Sequence, residues 1–101
     1  MTAEIRAAHC ASFTFVLYED ILFFETSSNI HKVILHAKDR QIEFPSTLKE
    51  LTGVLDSNFV RCHRAFLVNK NNIKEVDTKN RIIHFANGET CLMSTRMMKG
   101  L

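Results

Sequence analysis

The chain has 101 residues, of which 46% are hydrophobic and 24% charged, enough for one domain with one modest core and too apolar for a disordered segment. No apolar run approaches the roughly 20 residues of a membrane span, and Glu4, Arg6 and His9 stand where a signal peptide needs an apolar stretch, so a cytoplasmic protein without membrane contact is expected. Net charge is only +2 but uneven: residues 1–60 carry five Lys/Arg against eight Asp/Glu, residues 61–101 eight against three, so an acidic partner would meet the second half.

Along the chain, apolar residues come in short runs separated by turn chemistry, the pattern of strands in a mainly β domain. A first strand is predicted over Glu4 to Ala8. Phe13, Phe15 and Leu17 then alternate with Thr14, Val16 and Tyr18, as in a half-buried strand. Ile21-Leu22-Phe23-Phe24 is apolar on both faces and predicts a central strand. Thr26-Ser27-Ser28-Asn29 interrupts, Lys32 to Ala37 resumes, and Lys38-Asp39-Arg40 turns the chain. Gln41 to Phe44 is a strand that Pro45 is expected to end, having no N–H to continue a ladder.

One helix is predicted next. Thr47 and Glu50 have capping-box spacing, Leu48, Leu51 and Leu55 recur at three and four residues, and Gly53 marks a plausible end. Four more strand-like runs follow: Phe59 to His63, Ala65 to Val68, Ile73 to Val76 and Arg81 to Phe85. Asn87-Gly88 is a hairpin signal that pairs the last of these with Glu89 to Met93, and Ser94 to Lys99 is expected to form a terminal helical turn. No linker, repeat or low-complexity stretch divides the chain, so residues 1–101 are expected to be a single domain.

Enzyme signatures are missing: the chain has no GxGxxG, GxxxxGK[ST], HExxH or GxSxG. Cys62 and His63 are adjacent, but consecutive strand residues point to opposite faces and form no nucleophile–base dyad unless the strand bulges. His9, Cys10, Cys62 and His63 have zinc-ligand chemistry without zinc-site spacing. Neither catalysis, a metal nor a cofactor is therefore expected. Three cysteines without CxxC spacing suit reduced thiols; should Cys62 and Cys91 lie on neighbouring strands, they form a possible redox pair. Polar donors do collect at loops. His31 and Lys32 close the Thr26 to Asn29 loop, Arg64 interrupts the strand region after His63, and Arg96 and Lys99 follow the last hairpin. Arg, Lys, Asn and His donate to base edges and phosphates, so such loops, if they share one edge of a sandwich, make a DNA reader. Taken singly, each is an ordinary solvated charge. A β module whose loops meet an acidic protein surface is the alternative, and the next class is a small hydrolase or metal enzyme.

Three segments resolve the choice by resemblance: Tyr18-Glu19-Asp20-Ile21-Leu22-Phe23-Phe24-Glu25, Ser46-Thr47-Leu48-Lys49-Glu50-Leu51 and, most specific, Phe59-Val60-Arg61-Cys62-His63-Arg64-Ala65-Phe66-Leu67-Val68-Asn69. Together with Asn87-Gly88-Glu89 and Met93-Ser94-Thr95-Arg96 with Lys99, they resemble the LytTR domain of bacterial response regulators, from about Ile5 to Leu101. Within that family the chain looks most like quorum-sensing regulators of the accessory-gene-regulator and competence type.

The resemblance implies an elongated stack of three small antiparallel sheets with one short helix, which lies along double-stranded DNA and inserts loops into major grooves. It implies base reading by His31 with Asn29 and Lys32 beside it, by Arg64, where relatives carry Asn, and by Arg96. Ser94 and Lys99 are implied as phosphate contacts, and Arg61 and His63 as structural residues that hold the loop presenting Arg64. It further implies the output half of a two-component system that regulates transcription, normally joined to an N-terminal receiver domain that this chain lacks, and acting as a dimer on tandem direct repeats.

Overall fold

The computed structural model describes residues 2–6, 13–55 and 57–94; side chains are described from Val16 onward. Among the described residues ten strands run in the order β1 (Thr2–Arg6), β2 (Phe13–Leu17), β3 (Ile21–Thr26), β4 (Lys32–Ala37), β5 (Gln41–Pro45), then helix α1 (Leu48–Val54), β6 (Phe59–His63), β7 (Phe66–Asn69), β8 (Ile73–Asp77), β9 (Ile82–Phe85) and β10 (Thr90–Leu92). They form three antiparallel sheets: β1-β2, the five-stranded β5-β4-β3-β7-β6, and β10-β9-β8. The molecule is elongated, 44 × 25 × 22 Å.

The doubly apolar run Ile21 to Phe24 is the reason for this layering. It lies at the centre of the five-stranded sheet, and all four residues are buried. A register shift between Ile21 and Phe23 breaks strict alternation. Ile21 and Phe24 thereby face one core with Val33, Leu35, Phe44, Phe59 and Leu67, closed by Leu48 and Leu51 of α1 and by Val16 of β2. Leu22 and Phe23 face a second core with Cys62 and Val68, closed by Ile83, Phe85 and Cys91 of the three-stranded sheet and by Met93.

Several boundaries differ from the sequence expectation. β1 starts at Thr2, because pairing with Phe13–Leu17 in the register Thr2↔Leu17 sets its span; Ala7 and Ala8 lie outside the described residues. On β2, Val16 is buried and Leu17 is 43% exposed, so of these two alternating positions it is Val16 that faces the core. Pro45 does not stop β5 but belongs to it, opposite Lys32. An edge strand permits this, since its outer N–H has no ladder to supply. β7 begins at Phe66, as Ala65 belongs to the corner, and β9 begins at Ile82, as Arg81 has φ 59.

The helix begins as the capping box requires, with Thr47 Oγ1 accepting from Glu50 N at 3.1 Å. It ends differently. Gly53 lies inside α1, and the chain leaves through Leu55 at φ −86, an extended conformation that needs no left-handed glycine. The Asn87-Gly88 hairpin forms, but through a three-residue loop: Gly88 N donates to Phe85 O at 3.0 Å, and Gly88 alone takes positive φ there, at 93°.

Two buried polar residues stitch the layers. Asn69 Nδ2 donates to the carbonyls of Tyr18 and Ile21, both at 3.0 Å, while its Oδ1 accepts from Asn71 N at 3.1 Å. His36, stacked on Phe23 at 4.2 Å between centroids, lies between Glu25 (2.8 Å) on the five-stranded sheet and Glu89 (3.0 Å) beside β10.

Candidate DNA-binding face

The β3–β4 loop, residues 27–31, is short and closed on itself. Ser27 N donates to Lys32 O at 3.1 Å and Lys32 N to Asn29 O at 3.3 Å, which makes residues 29–32 a tight turn. His31 is its third residue, with φ 60. That is the pattern of a type II turn, in which glycine normally takes the left-handed position. The imidazole is exposed at the tip. A left-handed non-glycine residue costs about 1–2 kcal/mol, so surrounding bonds must hold it. Ser46 N, at the entrance to α1, donates to His31 O at 3.0 Å.

Glu43 on β5 anchors the other side. Its carboxylate accepts from Ser27 Oγ and from Asn29 Nδ2, the latter at 3.1 and 3.2 Å. The amide donors of Asn29 therefore point at a carboxylate within the protein, and its backbone N is tied to Ser27 Oγ at 3.0 Å. Sequence reading had placed Asn29 beside His31 but had no role for Glu43; an isolated acid on the exposed face of an edge strand was the available signal.

The second loop is the β6–β7 corner. β6 carries a register shift between Arg61 and His63, and the chain turns over Arg64 and Ala65. Arg61 Nη2 donates to Arg64 O at 2.9 Å and its Nε to His63 O at 3.4 Å. Ala65 N donates to His63 Nδ1 at 3.1 Å, so a neutral His63 ring carries its proton on Nε2. With the corner carbonyls held from inside, the Arg64 side chain is exposed.

Thr26 N donates to Ala65 O at 3.0 Å, which joins the two loops. Between them and the start of α1 lies a depression of about 410 Å³, lined by Asn29, His31, Lys32, Lys49, Arg61 and Arg64 among others. Among the described residues, four cationic side chains and one imidazole thus share one concavity, and none of those lining it is acidic. Lys49, on the first turn of α1, was not foreseen as part of it. Ser94 approaches from the third sheet, its N donating to Cys62 O at 2.6 Å, two residues from Arg64. Arg96 and Lys99 lie outside the described residues, as do His9 and Cys10.

Residues 11–101 match the family model described as the LytTr DNA-binding domain. The chain belongs to the LytTR family. It is 49% identical over 85 residues to accessory gene regulator protein A from Staphylococcus epidermidis, and equally to that of Staphylococcus aureus. These matches cover 84% of this chain and 35% of each relative, so the chain spans about a third of the length of the curated relatives it matches. The solved LytTr DNA-binding domain of a response regulator from Bacillus cereus superposes with a TM-score of 0.77 at 23% identity, covering 95% of this chain and 88% of that one. LytTR architecture accounts for the three stacked sheets, and DNA binding is the family's function.

Within this LytTR fold the two described cysteines meet. Cys62, unpaired at the β6 irregularity, and Cys91 on β10 both face the second core. The neighbouring Cys91 thiol holds the Cys62 thiol below its ordinary value, while Cys62 and burial push Cys91 up. Cys62 Sγ also lies 3.4 Å from Leu92 O, while His63 Nδ1 serves Ala65 N, so neighbours in sequence are engaged in different directions. Among the described residues no cluster of three His, Cys, Asp or Glu is placed to hold a metal, and no helix is long and apolar enough to cross a membrane.

Proposed function

We propose that this domain recognises specific duplex DNA as the cytoplasmic output module of a two-component transcriptional regulator. His31 and Arg64 enter the major groove as base readers, and Lys32 and Ser94 contact the backbone. Arg96 is proposed as a further base reader and Lys99 as a phosphate contact, from their place in the family motif. Arg61 and His63 act through the corner they hold, and Asn29 acts through the turn it ties to Glu43. Two copies bind tandem direct repeats when each is joined to a receiver domain.

One observation carries this reading: side chains from two loops distant in sequence, His31 with Lys32 and Arg64, border a single concavity lined by no acid among the described residues, and the Thr26–Ala65 hydrogen bond locks the two loops together. Cations and hydrogen-bond donors spaced on a rigid frame are what a polyanion with readable base edges selects.

Selecting bound duplexes from a random pool tests it. A single enriched sequence is expected. On that sequence Arg64→Ala, His31→Ala and Arg96→Ala should each lose about 1–3 kcal/mol, the worth of a well-made base contact. Lys99→Ala should instead weaken all duplexes alike and flatten the salt dependence. A chain that enriches no sequence, and that unrelated duplex DNA cannot occupy, is not a DNA reader but a module for an acidic protein surface.

A further inference from the structure

Ile30 stands at the corner of the β3–β4 turn, between Asn29 and His31, and is 83% exposed, more than any other large hydrophobic residue among those described. The loop has no slack to explain this. Its ends are bonded to each other, the Ser27 and Asn29 side chains to Glu43, and its tip to Ser46 N. Ile30 also lines the depression shared by His31 and Arg64, whereas the other strongly exposed aliphatics, Val54 at the end of α1 and Leu92 on β10, do not. A braced turn therefore presents one stiff, β-branched aliphatic group to the same space as the polar readers.

The major groove offers few apolar targets. Its base edges display donors and acceptors, and the exception is the C5-methyl group of thymine. We infer that Ile30 is a specificity-determining residue that packs on a thymine methyl next to the base read by His31. The inference rests on the DNA-reading function proposed above and adds to it a base identity at one position. An aliphatic group held in water by a rigid loop gains contact there without ordering cost, while cytosine, guanine or adenine at that position presents polar atoms that isoleucine cannot satisfy.

The test uses duplexes enriched from a random pool by the parent chain. Each thymine is replaced in turn by deoxyuridine, which lacks only the 5-methyl group, and affinities are measured for the parent, Ile30→Val and Ile30→Ser. The parent is expected to lose about fourfold at one thymine, the factor for one methyl group returned to water. Ile30→Val should retain most of that sensitivity. Ile30→Ser should bind the thymine duplex more weakly and respond no differently to deoxyuridine at that position, while keeping its response to changes at the other contacted bases.

Equal deoxyuridine profiles for the parent and Ile30→Ser, in a chain that does enrich one sequence, overturn the thymine contact and leave DNA reading intact. So does an enriched site without thymine. Absence of any enriched sequence is a different failure, of the function itself, and the inference falls with it. Because Ile30 is exposed, coincident thermal melts of parent and variants are expected and separate a lost contact from lost folding.

Discussion

Arg61 Nη2 donates to the carbonyl oxygen of Arg64 at 2.9 Å, so one cation of the β6–β7 corner holds the backbone from which the other projects. The two arginines are neighbours in the same depression but have different tasks. Arg61→Ala should leave the fold intact and weaken binding to the enriched duplex by about 1 kcal/mol, the net worth of an intramolecular hydrogen bond. In a double-mutant cycle with Arg64→Ala, the combined loss should fall short of the sum, because Arg61 acts by fixing Arg64. Arg61→Lys should not rescue, since an ammonium lacks the fork that spans the carbonyls of His63 and Arg64. Full additivity in anisotropy titrations would show that Arg61 touches DNA on its own account.

His31 makes an opposite demand on stability and function. At φ 60 its backbone sits where glycine is unstrained. His31→Gly should therefore raise stability by up to about 1 kcal/mol, seen as a shifted urea midpoint with unchanged slope, yet lose affinity for the enriched duplex. His31→Ala keeps the strain and loses the ring, so its affinity should fall without a gain in stability. If His31→Gly binds as tightly as the parent, the imidazole is no reader.

Much of the fold was legible in the residues, and the failures share a cause. Periodicity found the central strand from Ile21-Leu22-Phe23-Phe24, and local chemistry found Thr47 as a helix cap and Gly88 as a hairpin residue, because each signal is complete within a few positions. The phase of Val16 against Leu17 was not legible, since which face of β2 is inward depends on what packs there. Register shifts at Ile21/Phe23 and Arg61/His63 leave no mark in alternation, yet they sort the residues between two cores and unpair Cys62. At the site, the motif letters named His31, Lys32 and Arg64. Glu43, Lys49 and Ile30 went unnamed because their place in the site comes from the pairing of β4 with β5 and from the entry of α1.

The β8–β9 turn offers a pH test independent of DNA. Hydrogen bonds from Asn80 N (3.0 Å) and Asn80 Nδ2 (2.8 Å) hold the Asp77 carboxyl below its ordinary value. A carboxyl depressed in the folded state stabilises it above the unfolded value and ceases to do so as pH falls through the folded one. NMR titration should find Asp77 ionised at a pH where exposed aspartates are already protonating, and Asn80→Ala should move its midpoint upward. An unmoved midpoint would mean that the Asn80 contacts do not persist in solution.

The thiol pair gives the last prediction. Cys62 is two residues from Arg64, and its carbonyl carries Ser94, so a bond between Cys62 and Cys91 would pull on the presenting corner. With hydrogen peroxide as oxidant, the Cys62 thiolate attacks one peroxide oxygen, the O–O bond breaks, and a sulfenic acid forms with hydroxide, which takes a proton from solvent to leave as water. The Cys91 sulfur then displaces the second water and closes the disulfide. The expected result is loss of two of the three thiols together with weaker binding to the enriched duplex, reversed by dithiothreitol. Because Cys62 is held below the ordinary thiol value, the oxidation rate should rise with pH over a range lower than that of a free cysteine. Cys62→Ser and Cys91→Ser should each keep their DNA affinity through peroxide treatment. Three titratable thiols in the folded, peroxide-treated parent would exclude the pair as a redox element.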